Sequence, residues 1–336
     1  MEGSGKLTGS PGLISTGQGV QIFTFANDTA ESIQHSYVKL MHLWLNAVLG
    51  SSVSIDETTK FVYQGGLSID GAVFLSRANY GDGVFETMRS QLGRIPLLDL
   101  HLQRMARGLA VLGLAELDSD RIRAELDQIA SMHPEAVIKL IAISAAPGGS
   151  YQRRHNGVEH AVVVSALPPS DALASPNGII VRVCKTQLAQ HSALSGIKHL
   201  GRGEQILGAN EPNTHSAHEG LMLDTAAQVI CAISGNIFVV LNGQLCTPII
   251  DGAGVNGVMR ARIMQICTEI GVELLLRKLS LDDICRASEL FLCNAVRAVR
   301  PVARLIDQNG AEIVYSNQRP ITHRVMHALN QVAFRP

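Results

Sequence analysis

Ser195-Gly-Ile-Lys-His-Leu-Gly-Arg-Gly-Glu-Gln205 is the stretch on which the reading of this chain turns. It sets Lys198 between a small, pliable lead-in (Leu194, Ser195, Gly196) and a helix-compatible run, Glu204 to Ala209. A lone lysine is ordinarily a solvated surface charge, so the weight falls on its companions. Upstream stands Tyr80-Gly-Asp-Gly-Val-Phe-Glu-Thr-Met-Arg89, followed by His101-Leu-Gln-Arg104. Downstream, Gly252-Ala-Gly-Val-Asn-Gly257 is a glycine-bearing loop that opens directly into a helical pattern. Free backbone N–H groups and the positive helix end favour an anion there, although an isolated loop of this kind is more often a plain helix-initiating turn.

With 336 residues, the chain has room for two ordinary domains or one domain with decoration. Apolar residues make up 46% and charged residues 17%, which supplies a packed core and excludes a disordered chain. A net charge of −1 gives no general pull toward nucleic acid or an anionic membrane. The cysteines (Cys184, Cys231, Cys246, Cys267, Cys285, Cys293) are scattered, with no C-x-x-C pair and no histidine cluster at ligand spacing. That argues against a metal site or disulfide framework and fits a reducing compartment. No signal-peptide pattern is evident, and the apolar runs are too short or interrupted to span a bilayer, so a soluble cytoplasmic protein is expected.

In order, Met1 to Val20 is rich in Gly, Ser and Thr and has little to bury. Ile33, Tyr37, Leu40, Met41, Trp44, Leu45 and Val48 recur at helical spacing and predict an amphipathic helix over 30–49. It either packs on its own subunit or serves as a dimer contact or a cap over the site. Phe61 to Phe74 reads as two short strands around Gly65-Gly66 and Asp70-Gly71. Val84 to Arg89 predicts a strand that turns at Gln91-Leu-Gly93 and returns through Ile95 to Leu98. Helices are expected over 100–114, with Arg104 and Arg107 on or near the polar face, and over 118–132; strands are expected over 136–145 and 161–166. Leu167-Pro-Pro-Ser-Asp-Ala-Leu-Ala-Ser-Pro-Asn-Gly178 is the clearest linker. The organisation expected is therefore an N-terminal segment (1–60), a smaller α/β domain (61–166), the linker (167–178) and a larger domain (179–336). In the larger domain, strands are expected at 179–183, 221–233, 237–245 and 290–293, with Asn242-Gly243 as a turn. Helices are expected at 257–270, 281–287 and 320–334. Short strands flanking helices in both halves suggest two α/β domains with a small-molecule crevice between them.

Taken together, the 80–89, 101–104, 195–205 and 252–260 segments resemble the class IV aminotransferase family, pyridoxal 5′-phosphate (PLP) enzymes of fold type IV, and within it the aminodeoxychorismate lyases. The likeness runs from about Phe61 to about Val302, and Ile197-Lys-His-Leu200 and Gly254 to Arg260 are its most specific parts. It implies that Lys198 bonds the cofactor and shuttles protons, that Arg104 grips the phosphate, and that Val255, Asn256 and Asn294 contribute to the cofactor site. It also implies that Thr87 assists proton transfer to the leaving group. A homodimer acting on a small molecule is implied as well.

Two stretches depart from the family pattern. Cys231, in Val229-Ile-Cys-Ala-Ile-Ser-Gly-Asn-Ile-Phe238, stands where the family carries the glutamate that keeps the pyridine nitrogen protonated. A thiol is a weak hydrogen-bond partner and does not stabilise a pyridinium as a carboxylate does, which disfavours transamination. In Ile141 to Tyr151, Ala145 and Ser150 replace two arginines, the first of which binds substrate carboxylate in the lyases. Arg153 or Arg154, Arg297 and Arg300 are the substitutes considered, each against the reading of a solvated surface charge. The resemblance thus implies a lyase that makes 4-aminobenzoate and pyruvate for folate synthesis. The alternatives are an aminotransferase for D- or branched-chain amino acids, or a relative whose chemistry was lost or redirected.

Overall fold

Alternation along β4 (Gly83–Ser90) sets the first layer: Val84, Glu86 and Met88 are buried, while Phe85, Thr87 and Arg89 take the other, partly open face. The structure, a computed structural model, describes residues 14–15, 21–22, 60–62, 77–145, 151–168, 177–212 and 217–332. The chain divides into two compact units, residues 1–53 and 54–336. In the first, β1 (Ile14–Ser15) and β2 (Gln21–Ile22) form a short antiparallel pair. The helix expected over 30–49, with Trp44, lies outside the described residues.

In the second unit, β3 (Lys60–Val62), β4, β5 (Ala136–Ser144) and β6 (Val158–Ser165) form an antiparallel sheet in the order β3-β6-β5-β4. The remainder of the hairpin expected near Phe61 lies outside the described residues. Helices α1 (Leu98–Val111) and α2 (Ser119–Met132) bury Met105, Leu109, Ile122 and Leu126 against Met88, Ile138, Leu140 and Val162. The Asp118 side chain caps α2 by accepting from the Arg121 N–H at 3.1 Å. No strand returns through Ile95 to Leu98: the chain makes a tight turn at Gln91 to Arg94 and enters α1. Pro96 has no N–H to donate to a ladder, and Leu97 is left-handed at φ 61°, which ends any extended run. Arg104 also departs from expectation. Arg107 is exposed as predicted, but Arg104 is buried on the inner face of α1 with His101.

A larger sheet of nine strands follows among the described residues. Its path is β12 (Leu274–Arg277), β11 (Gln244–Pro248), β10 (Asn236–Leu241), β13 (Glu289–Asn294), β14 (Ala298–Ile306), β7 (Ile179–Val183), β8 (Glu219–Leu223) and β9 (Val229–Ala232), with β15 (Glu312–Val314) paired to β14. Asn242 and Gly243, at φ 53° and 80°, make the turn between β10 and β11. One face packs Ile179, Val181, Leu221, Val239, Leu290 and Val302, with Ile284 of α5 (Leu281–Arg286). The other packs Phe238, Phe291 and Val299 under α4 (Val258–Glu269) and α6 (Pro320–Val332). Arg300, Pro301 and Arg304 interrupt the apolar pattern of β14, so sequence alone does not mark this nine-residue strand. Among the described residues no helix is long and apolar enough to cross a membrane.

Candidate active site

Lys198 is held from two sides by backbone hydrogen bonds. The Phe85 N–H donates to the Lys198 carbonyl at 3.0 Å, and Leu200 donates to Gly83 at 3.0 Å, which joins the lysine loop to β4. On the other side Gly196 donates to Gly254 at 3.0 Å, and Asn256 donates back to Gly196 at 2.9 Å. Gly196 sits at φ 81°, and a Cβ there would lie 2.5 Å from the Asn256 amide, so only glycine fits. The lysine Nζ then lies 4.1 Å from the centroid of the Phe85 ring. Burial, together with the charges of Arg104 and Arg202, holds its pKa down to about 7, so a neutral amine is well populated at neutral pH.

The lysine opens into a cavity of about 420 Å³, within the range usual for small-molecule sites. Phe85 and Thr87 of β4, Cys231 of β9, Val255 and Gly257 ahead of α4, and Asn294 and Arg297 at the β13–β14 turn all line it. Asn236 anchors the loop before α4 by donating to the Val255 carbonyl at 2.9 Å. A Cβ on Gly257 would overlap the Asn236 Oδ1, so this close approach also requires glycine. The first N–H groups of α4 have no intrahelical acceptor and form the positive end of the helix dipole.

Arg104 belongs to a buried cluster. Its Nε donates to Glu86 Oε1 at 2.8 Å, its Nη2 donates to Glu86 Oε2, and its Nη1 donates to the Asn256 carbonyl at 3.2 Å. His101 Nδ1 lies 2.6 Å from Glu86 Oε2. Burial alone would raise the Glu86 carboxyl, but the Arg104 charge and the bonds from His101 and Arg104 outweigh it and hold the pKa at about 2. Burial lowers the His101 pKa, so the imidazole is neutral and Nδ1 is the donor. Glu86 was not singled out from the sequence. Its signal was there: a carboxylate on the buried side of an alternating strand requires a partner.

The other expected site residues divide. Thr87, Cys231, Val255, Asn294 and Arg297 meet at the cavity with Lys198 and Arg104. Asn256 is adjacent, but its N–H is committed to Gly196 and its side chain accepts from Arg260 at 3.3 Å. Asn294 is at the wall with its side chain committed to the turn: Oδ1 accepts from Val296 and Arg297, and Nδ2 donates to Ser234. Arg153 is not at the cavity; its Nε and Nη2 bind Asp82 and its Nη1 donates to the Leu112 carbonyl at 2.6 Å, which ties it to a loop of the smaller sheet. Arg300 is buried in β14 opposite Leu292 and does not line the cavity either. Ser150 lies outside the described residues. Two lining side chains, Arg202 and Gln205, stand in the quoted stretch, yet neither was given a role in the site from the sequence. Burial pushes the Cys231 thiol up to about 12 against the pull of Arg202, so it is neutral.

The model of the class IV aminotransferases matches residues 83–305, from the start of β4 into β14. The chain belongs to the class IV aminotransferase family. Similar to it are an aminodeoxychorismate lyase of Vibrio harveyi, 29% identical over 229 residues that make up 67% of this chain and 83% of that protein, and the branched-chain-amino-acid aminotransferase of Escherichia coli K12, 24% identical over 270 residues, 74% of this chain and 84% of that one. Among solved structures, the 4-amino-4-deoxychorismate lyase from Pseudomonas aeruginosa superposes with a TM-score of 0.69 at 30% identity, over 82% of this chain and 98% of that one. Class IV aminotransferases work with PLP. The residues present suit that group: a lysine with a lowered pKa, a buried arginine beside it, and a glycine-lined helix start that a single added Cβ would obstruct.

Proposed function

We propose that this chain is a PLP-dependent lyase of the aminodeoxychorismate type, converting 4-amino-4-deoxychorismate to 4-aminobenzoate and pyruvate. The observation that carries the reading is Cys231: a neutral thiol occupies the β9 wall, and no aspartate or glutamate is among the described residues lining the cavity. Amino-group transfer leans on an anion that keeps the pyridine nitrogen protonated, and elimination depends on it less. The likeness to lyases from two bacteria supports the same choice.

In this reading Lys198 bonds the cofactor, while Arg104, the Val255 backbone and the first turn of α4 hold its phosphate. PLP, when bound, supplies an electron sink for bond breaking next to the substrate amine. Lys198 Nζ, whose pKa of about 7 leaves a neutral amine available, takes the proton from that carbon. Thr87 passes a proton to the departing oxygen, and Phe85 beneath the lysine keeps water from the reacting face. Glu86 and His101 act through Arg104 by fixing its plane. Arg297 is the cation at the cavity's far turn for one substrate carboxylate.

Aminotransferase relatives, among them the branched-chain enzyme of E. coli, give a second reading, in which D- or branched-chain amino acids are the substrates. Incubating PLP-loaded protein with 4-amino-4-deoxychorismate separates the two. Release of 4-aminobenzoate and pyruvate in equal amounts is expected. Their absence, with conversion of the cofactor by amino acids instead, overturns the lyase reading. We further propose a homodimer, as the family implies; a stable monomer in sedimentation at micromolar concentration overturns that.

A further inference from the structure

Resting on the proposed function, we infer that Arg202 is the specificity-determining residue that binds a carboxylate of the substrate beside Lys198, with Gln205 as the neighbouring polar contact.

Charge balance leads to it. Three arginines, Arg104, Arg202 and Arg297, line the cavity beside Lys198, and no acidic side chain does among the described residues. Arg104 has its counter-ion in Glu86. Arg202 has none at hydrogen-bonding distance: its Nε donates to the His199 carbonyl at 2.8 Å and its Nη2 to the Ile197 carbonyl at 3.3 Å. Those two bonds fix the guanidinium on the lysine loop itself, so its orientation is set before any ligand arrives. Nη1 finds no acceptor among the described residues, which leaves donors for a planar anion. Gln205 follows three residues later on the same side of α3 (Gly203–Ala209) and lines the same cavity. Its Oε1 is buried without a partner among the described residues, a state that a ligand N–H or O–H would relieve. A ligand that bears a carboxylate next to a donor group satisfies both.

Two fragments of the proposed reaction carry the carboxylate, the aromatic acid and the 2-oxo acid, and the test distinguishes them. Calorimetric titrations of the PLP-loaded full-length protein use 4-aminobenzoate and pyruvate, each beside its uncharged amide. Arg202→Gln is expected to weaken at least one acid about tenfold or more, leave the matching amide within about twofold, and leave PLP occupancy unchanged. Arg202→Lys keeps the charge without the fork, is expected to fall between, and keeps the test readable where the glutamine variant does not fold. If acid and amide weaken together, Arg202 only braces the lysine loop and the inference fails. Unchanged acid binding, or no acid binding by the native protein, overturns it as well. Native protein that takes up no PLP condemns the proposed function instead, since that readout precedes any acid titration.

Discussion

Arg104 and Arg202 approach the same lysine from opposite surroundings. Arg104 is locked by a bidentate carboxylate with a histidine behind it, so its charge is balanced inside the fold and its remaining N–H groups are aimed. Arg202 is held only by two backbone carbonyls beside a neutral thiol. The contrast teaches that one cavity can carry two kinds of cation. One is neutralised in advance and serves as a rigid fork; the other keeps an unbalanced charge for a ligand to neutralise. Both depress the pKa of Lys198, and the order of causes there is burial, then Arg104, then Arg202.

Removing the shared target breaks the comparison altogether. Lys198→Ala is expected to abolish the covalent cofactor link: borohydride treatment and mass spectrometry should find no PLP mass on the chain, where the native protein carries one at Lys198. An unchanged cofactor spectrum would sink the family-based site.

The next effect isolates the Arg104 side. The Glu86 carboxyl has a folded pKa of about 2 against an ordinary 4.5. A carboxylate with a depressed pKa stabilises the fold above its unfolded value and loses that contribution as pH falls from about 4.5 through 2. The shift corresponds to about 3 kcal/mol. Denaturant melts should show Glu86→Gln less stable by about this amount at pH 7, with a flatter acid limb than the native protein. Equal acid limbs in the two proteins would mean that Arg104 is not balanced by Glu86.

A smaller effect probes the phosphate end. Gly257→Ala forces a Cβ onto the Asn236 Oδ1. Overpacking of this kind costs about 1–3 kcal/mol, and PLP affinity, read by dialysis and absorbance, should fall with it. Tight PLP binding by the alanine variant would show that the loop yields without disturbing the site.

Sequence made the site's inventory legible further than its geometry. The resemblance to the class IV aminotransferases brought Lys198, Arg104, Thr87 and Val255 to notice, and all line one cavity. Charge alone could not separate Arg297, which reaches the cavity, from Arg153 and Arg300, because long-range partners such as Asp82 decide that. The same blindness placed Arg104 near the polar face of α1: helical periodicity counts it as polar, while Glu86, on another element, makes its burial favourable. Strand β14 was missed because its arginines mask a buried strand, and the return at Ile95 was misread because Pro96 cannot join a ladder.

The smallest effect sharpens the comparison by making Arg202 resemble Arg104. Cys231→Glu sets a carboxylate on the wall near Arg202, so it offers that guanidinium an internal partner and the pyridine nitrogen an anion. A buried pair returns in attraction roughly what it loses in desolvation, and a stability change of about 1–3 kcal/mol is expected. Two functional readouts should then move in opposite directions. Carboxylate ligands should bind severalfold more weakly, because Arg202 is partly neutralised before they arrive. Conversion of bound PLP by a panel of D- and L-amino acids, followed as loss of the cofactor's absorbance band, should speed up severalfold, because a protonated ring accepts electrons better. If the native protein already converts its cofactor readily and the glutamate changes neither readout, then Cys231 does not face the ring nitrogen. The thiol would then be only a small buried apolar residue, and the case for elimination over transfer would lose its support.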